Sequence, residues 1–230
     1  MPAVRKLTED GEILVEVFSK LDSTNDYLKG KALRSPRSVH IAIAGSQLCG
    51  RGQRGKSFAS PEGGLYFSLK ARTPEAIKDM PFIATPLAGL ALQDLLTAQA
   101  SCDHLKFDLK WINDILVGGR KLAGILTEYD AEENAIIIGI GINWDTCELP
   151  SEIEDIATSL SILLGEAYAT SKMEVNQFAA MLAGKLIDYI FYPSADNLLR
   201  YKRTCIGIDE DEWNKLFPHD LVFDKDAKTP

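Results

Sequence analysis

GRGQRGKS at residues 50–57 spells G-x-x-x-x-G-K-[S/T], the phosphate-binding loop of many nucleoside triphosphatases, and what flanks it decides whether it is one. That loop works because the chain leaves a strand, wraps the phosphates and enters a helix whose N-terminus adds its dipole. VHIAIAGSQ (39–47) supplies the strand. After Ser57 comes FASPEGGLYFSL, where Pro61 and Gly63-Gly64 break a helix before a second strand-like run. No clear apolar strand ends in an acid suited to magnesium; IIIGIGINWD comes closest, with Asp145 beyond an Asn-Trp pair. The stretch therefore reads as a glycine-rich turn between two strands. Arg51, Arg54 and Lys56 concentrate three cations there with no carboxylate before Glu62, in a chain of formal net charge -8. Gly50, Gly52 and Gly55 let backbone approach a ligand closely. An anion such as a nucleotide phosphate suits that composition; a solvated surface loop is the plainer alternative.

A chain of 230 residues with 46% hydrophobic content can bury one large core. Its acidic balance argues against sequence-independent binding to nucleic acid. Cys49, Cys102, Cys147 and Cys205 are scattered without a C-x-x-C pair, and only three histidines accompany them, so reduced thiols are expected rather than disulfides or zinc. No stretch near the N-terminus resembles a signal peptide. FIATPLAGLALQDLL from Phe82 is interrupted by Thr85, Pro86, Gln93 and Asp94 and is too short to span a bilayer. A soluble, cytoplasmic protein without membrane association is the expectation.

EILVEVFSKL (12–21), VHIAIAGSQ and LYFSLKA (65–71) alternate like strands, and Ser23 with Asp26 opens a helix over 23–33. PFIATPLAGLALQDLLTAQA (81–100) is helical. FDLKWINDILV (107–117) reads as one strand, Gly118-Gly119 as a tight turn, RKLAGILTEYD (120–130) as the return strand and AIIIGIGINW (135–144) as a buried strand. Helices follow over 173–192 and from Asn197 to Thr204. Strands run in groups rather than in βαβ alternation, which predicts an α+β fold, a mixed sheet with helices over one face. Residues 1–205 form the expected domain and 206–230 a short acidic tail, partly unstructured.

The second chemically pointed segment is KWINDILVGGRKLAGIL (110–126). Strand alternation places Lys110 and Asp114 on one face, with Trp111 and Asn113 opposite. A lysine in a run as apolar as RKLAGIL needs a partner, an anionic ligand or an acid, and Lys121 is open to both. Gly124 inside that strand marks a bulge or the close approach of a ligand. Together DSTNDYLK (22–29), GSQLCGRGQRGKSFASPEGGLYFSL (45–69), LKWINDILVGGRKLAGILTE (109–128), IIGIGINW (137–144) and DIATSL (155–160) resemble, in order, the catalytic domain of biotin protein ligases, whose fold is like that of class II aminoacyl-tRNA synthetases.

The resemblance implies that Ser23, Thr24 and Asn25 lie by the biotin ureido ring, with Gln47, Gly52, Gln53 and Gly124 lining the biotin pocket. It places Arg51 and Lys121 as catalytic groups by the biotin carboxylate and the phosphate. Arg54, Lys56, Phe58, Lys110, Asn113, Asp114 and Asn143 fall around ATP and its Mg2+, with no separate metal site. Gly139 and Gly141 would keep the pocket floor thin. The implied partner is a biotin carboxyl carrier protein. Three departures stand out. Gln53 occupies a position where many relatives have a second arginine; Phe58 replaces a frequent tryptophan; Ile112 replaces a common proline. About twenty residues precede DSTND and few follow the last helix, so neither a DNA-binding module nor a C-terminal β-barrel is expected. A homodimer through the AIIIGIGINW strand stays open, as do a biotin- or adenylate-binding paralogue without transfer and a lipoate ligase-like enzyme.

Overall fold

Period-two alternation in the strand segments builds a sheet whose two faces do different work. A computed structural model of the chain describes residues 3–8, 11–146, 148–170, 174–208 and 210–217. Its strands are β1 (Ala3–Thr8), β2 (Gly11–Phe18), β3 (Val39–Ala44), β4 (Leu65–Arg72), β5 (Asp108–Lys110), β6 (Asp114–Val117), β7 (Arg120–Asp130) and β8 (Ala135–Ile142). They form one mixed sheet in the order β1-β2-β3-β4-β8-β7-β6-β5, antiparallel at every junction except the parallel β2–β3 pair. The α+β expectation holds. The helices are α1 (Thr24–Lys29), α2 (Ala84–Thr97), α3 (Leu160–Leu164), α4 (Glu166–Thr170), α5 (Val175–Phe191), α6 (Ala195–Thr204) and α7 (Glu210–Leu216).

Leu65, Phe67 and Leu69 of β4 and Ile136, Ile138, Ile140 and Ile142 of β8 alternate onto one face and join the main core. α2 packs there with its apolar side chains buried nearly all round, which suits a helix enclosed between sheet and helix. α5 closes over it with Phe178, Leu182, Leu186 and Ile190, a stripe at four-residue spacing. Burying each such side chain contributes about 1.5–3 kcal/mol. Residues of the opposite phase, among them Ser68 of β4, Gly139 and Gly141 of β8 and Gly124 of β7, face the other way. α1 covers only part of that second face, seating Leu28 against Ala42 and Ile137. Helices thus lie on both faces rather than one, and the part of the second face that α1 leaves uncovered becomes the floor of the site.

Two further expectations need correction, and of the two open readings of AIIIGIGINW the internal strand is the one found. The run 107–117 is two strands, because Asn113 is drawn onto β7. Its carbonyl accepts from the Ile125 amide at 2.8 Å and its side-chain amide donates to the Ile125 carbonyl at 3.0 Å. Lys110 and Asp114 consequently meet as cross-strand partners of a hairpin. The AIIIGIGINW strand is paired on both edges, by β4 and β7, and so offers no edge for dimer pairing. The domain boundary at 205 cuts into the fold: α7 places Trp213 and Phe217 in the core, where they pack around Trp111 with Tyr201. Residues 218–230, the rest of the expected tail, lie outside the described residues. Cys49, Cys102 and Cys205 are free thiols, and Cys147 lies outside the described residues. Among the described residues no helix is long and apolar enough to cross a membrane.

Candidate active site

The glycine-rich segment is a flap between β3 and β4, with no helix behind it. Its two arms pair where the Phe58 amide donates to the Gly50 carbonyl at 2.8 Å and the Gly52 amide to Lys56 at 2.7 Å; Arg51 and Ser57 bridge between them. The tip, Gln53–Gly55, is a single 3-10 turn in which Arg54 takes φ 57, a conformation uncommon outside glycine. No helix starts at Lys56, the next element being β4, so the phosphate-loop spelling is accidental. At its far end Tyr66 anchors the chain, donating to the Pro61 carbonyl at 2.9 Å. Burial pushes the Tyr66 phenol up, so it remains a donor.

Beneath the flap lies a cavity of about 510 Å³. Register makes its floor thin: Gly124 of β7 pairs with Gly141 of β8, and Gly139 pairs with Ser68 of β4. The Phe58 ring lies over the first pair, since a Cβ on Gly141 would come 2.6 Å from Phe58 Cε1. Asn25 lies over the second, with a Cβ on Gly139 only 2.2 Å from its Oδ1.

Part of the cavity lining is polar and uncharged. The Ser23 hydroxyl caps α1, accepting from the Asp26 amide at 3.3 Å, and that cap presents the next two residues to the floor. The Thr24 amide and hydroxyl donate to Gln47 Oε1 at 2.9 and 3.1 Å, and Gln47 Nε2 donates to Ser60 at 2.9 Å. Ser68 Oγ sits 2.7 Å from Thr24 Oγ1 and 2.6 Å from Asn25 Oδ1. Such a chain of short donors and acceptors suits a small heterocycle carrying both.

The lining also carries cations. Lys121 Nζ lies 2.7 Å from Asp114 Oδ1 and 5.3 Å above the Phe58 ring centroid. Both readings left open for Lys121 are thus compatible: it pairs with an acid and faces the cavity. Arg51 reaches from the flap to Asp26 and, at 2.8 Å, to Glu128. Burial alone would lower the Arg51 pKa; the carboxylates of Glu128 and Asp26 outweigh it and leave the guanidinium above its usual value. Among the described lining residues, Arg51, Arg54, Lys56 and Lys121 face a single carboxylate, Asp114. A cavity this cationic in so acidic a chain is built to receive an anion.

The fold brings together Ser23, Thr24, Asn25, Gln47, Arg51 and Gly52 on one side of this space. Gln53, Arg54, Lys56 and Phe58 line it from the flap, and Asn113, Asp114, Lys121 and Gly124 from the hairpin. Two expected residues stand outside it. Lys110 is exposed on β5. Asn143 is buried and spends its side-chain amide on the Thr158 carbonyl at 2.9 Å and the Lys121 carbonyl at 3.4 Å, bracing the strand behind the lysine. Ser68 and Glu128 escaped the residue-level reading. Alternation alone could have found both, since Ser68 shares a face with Tyr66, and Glu128 with Gly124.

A family model described as the biotin/lipoate A/B protein ligase family matches residues 17–145, from β2 to just beyond β8. The chain belongs to that family. Within it, the chain is 41% identical over 132 residues to the bifunctional ligase/repressor BirA of Bacillus spizizenii, covering 55% of this chain and 39% of that protein. It is 32% identical over 152 residues to the biotin--[acetyl-CoA-carboxylase] ligase of Mycobacterium tuberculosis, covering 64% of this chain and 54% of that protein. The chain therefore matches about half the length, or less, of these two relatives. Among solved structures, biotin protein ligase from Aquifex aeolicus in complex with biotin and ATP superposes with a TM-score of 0.65 at 26% identity, over 84% of this chain and 78% of that one. The matched residues 17–145 include every residue that lines the cavity.

Proposed function

We propose that this chain activates biotin with ATP and transfers it to a lysine of a biotin carboxyl carrier protein. The observation that carries the reading is that one cavity combines the short hydrogen-bonding groups of Thr24, Asn25 and Gln47 with the cations Arg51 and Lys121. Biotin carries the two matching parts, a ureido ring with donors and acceptors and a carboxylate. The names of the relatives support the substrate.

In the first step a biotin carboxylate oxygen attacks the α-phosphorus of ATP, the bond to the β-phosphate breaks, and pyrophosphate leaves. Two anions must approach each other, and Arg51 and Lys121 lower that cost by charge. In the second step the neutral ε-amine of the carrier lysine attacks the biotinyl carbonyl, the bond to the AMP oxygen breaks, and an amide forms as the nitrogen loses one proton to solvent and keeps the other. Positioning is the main contribution asked of the protein, and no covalent enzyme intermediate is required. Among the described residues no cluster of three or more His, Cys, Asp or Glu is set to hold a metal. Asp114, the one carboxylate among the described lining residues, would be the protein partner of Mg2+, which would supply charge neutralisation at the phosphates.

Incubation with biotin, ATP, Mg2+ and a carrier domain yields biotinylated lysine if the reading holds. No modification, or modification by lipoate instead, refutes it. Gln53 at the flap tip sets a second expectation. A hydrogen bond to a charged group contributes about 1.5–3 kcal/mol, so Gln53→Arg should slow release of biotinyl-adenylate by roughly 10- to 150-fold. Single-turnover release assays check this, and equal rates would remove Gln53 from adenylate retention.

A further inference from the structure

Helix α7 lies well beyond the residues that the family model matches, yet its side chains back one wall of the cavity. Trp111 and Ile112, in the turn between β5 and β6, line that wall. Behind them stands an aromatic cluster drawn from two helices. The Trp111 ring centroid lies 6.3 Å from Tyr201 of α6, 6.1 Å from Trp213 of α7 and 6.4 Å from Phe217, just past the end of α7. Tyr201, Trp213 and Phe217 are buried, and Trp213 stacks on Phe217 at 4.2 Å. The Tyr201 hydroxyl donates to the Ile112 carbonyl at 2.8 Å. Burial pushes that phenol up, so it remains a donor. The link between the helices is fixed as well: the Ile206 carbonyl accepts from the Trp111 amide at 2.9 Å, and the Ile206 amide donates to Leu109 at 2.7 Å. Lys202 of α6 pairs with Glu210 of α7 at 2.6 Å and lies 5.2 Å over the Trp213 ring.

We propose that Trp213 and Phe217 are positioning residues, which seat Trp111 and thereby hold the wall carrying Asn113 and Asp114 against the nucleotide. Neither ring lines the cavity itself. The inference rests on the reading of the cavity as an adenylation site with ATP at the β5–β6 hairpin; the seating of Trp111 is a property of the free protein. Thr24, Asn25 and Gln47, the groups assigned to the ureido ring, come from α1 and the stretch just after β3, away from the aromatic cluster. Loosening the wall should therefore weaken the hold on ATP and spare biotin.

Trp213→Ala and Trp213→Phe form the test pair. Both leave Trp111 and Trp144 as the remaining tryptophans of the chain, and Trp144 is buried against Phe178 in the main core. Acrylamide quenching of their fluorescence, without ligand, should be stronger in Trp213→Ala than in Trp213→Phe, because Trp111 loses its backing only in the first. In biotin-dependent pyrophosphate exchange, Trp213→Ala should raise the KM for ATP about fivefold, within what one ring-to-ring contact contributes. Its kcat and its KM for biotin should stay near wild type, and Trp213→Phe should recover most of the loss for ATP. A folded Trp213→Ala with an unchanged KM for ATP overturns the proposal. Equal losses for ATP and biotin, the pattern of a generally loosened fold, overturn it too. If Trp213→Ala fails to fold, Phe217→Leu added to Trp213→Phe carries both comparisons against Trp213→Phe, with the same refutations. Wild type without biotin-dependent exchange would refute the proposed function instead. The quenching comparison would then still decide whether α7 seats Trp111, and equal quenching would show that it does not.

Discussion

Lys121→Ala lowers the rate of biotin adenylation by about two to three orders of magnitude, the scale for removing one preorganised donor from a developing charge. The fold should survive, because Lys121 is held by its backbone: its amide donates to the Ile156 carbonyl at 2.8 Å and its carbonyl accepts from Thr158 at 2.9 Å, neither of which needs the side chain. What changes is the charge of the cavity. The ammonium that faces Asp114 at 2.7 Å disappears, leaving a carboxylate unpaired where two anionic substrates must meet. Part of the loss is therefore repulsion, which a second substitution separates. Lys121→Ala with Asp114→Asn should recover affinity for biotin without recovering the rate. Pre-steady-state formation of biotinyl-adenylate measures both, and a single variant turning over near the wild-type rate would remove Lys121 from the reaction.

Gly139→Ala should be the most damaging small change to the floor. The added Cβ would sit 2.2 Å from Asn25 Oδ1 and 2.9 Å from its Cγ. Asn25 cannot simply swing aside: it is 4% exposed and fixed by Ser68, Leu126 and Glu128. Overpacking of this kind costs about 1–3 kcal/mol, which for a chain of this size lowers the melting temperature by roughly 2–12 °C. The larger effect is on ligand. Displacing Asn25 also frees Glu128 and one anchor of Arg51, so biotin affinity should fall by more than about a hundredfold, the combined effect of two or more lost charged or buried hydrogen bonds. Calorimetric titration with biotin and a thermal melt test the two parts separately. Wild-type affinity in a destabilised Gly139→Ala would mean that the ligand never reaches this floor.

Much of this arrangement is written locally. Glycines at 124, 139 and 141 in strands otherwise rich in isoleucine and leucine announce a surface that something approaches closely, and the register of β7 on β8 sets two of them side by side. The flap is legible too, since Pro61 and Gly63-Gly64 exclude the helix that a phosphate loop requires. The hairpin at 110–114 is not. Asn113 is turned by hydrogen bonds to Ile125, and Trp111 is seated by Tyr201, Trp213 and Phe217, partners that strand periodicity in an eleven-residue window cannot see. The same limit explains Asn143, whose polar side chain looked available and is consumed by a segment fifteen residues away. Glu128 was hidden for the opposite reason. A charge at the end of a strand is ordinarily solvated, and only the convergence of α1 and the flap gives it three partners.

Exchange of labelled pyrophosphate into ATP tests the central claim most directly, that a cationic flap and Lys121 close over a carboxylate-bearing heterocycle and an adenylating nucleotide. Exchange that depends on biotin, and that lipoate or octanoate does not support, is the expected result. No exchange with any of the three acids, or ATP hydrolysis indifferent to biotin, would contradict it.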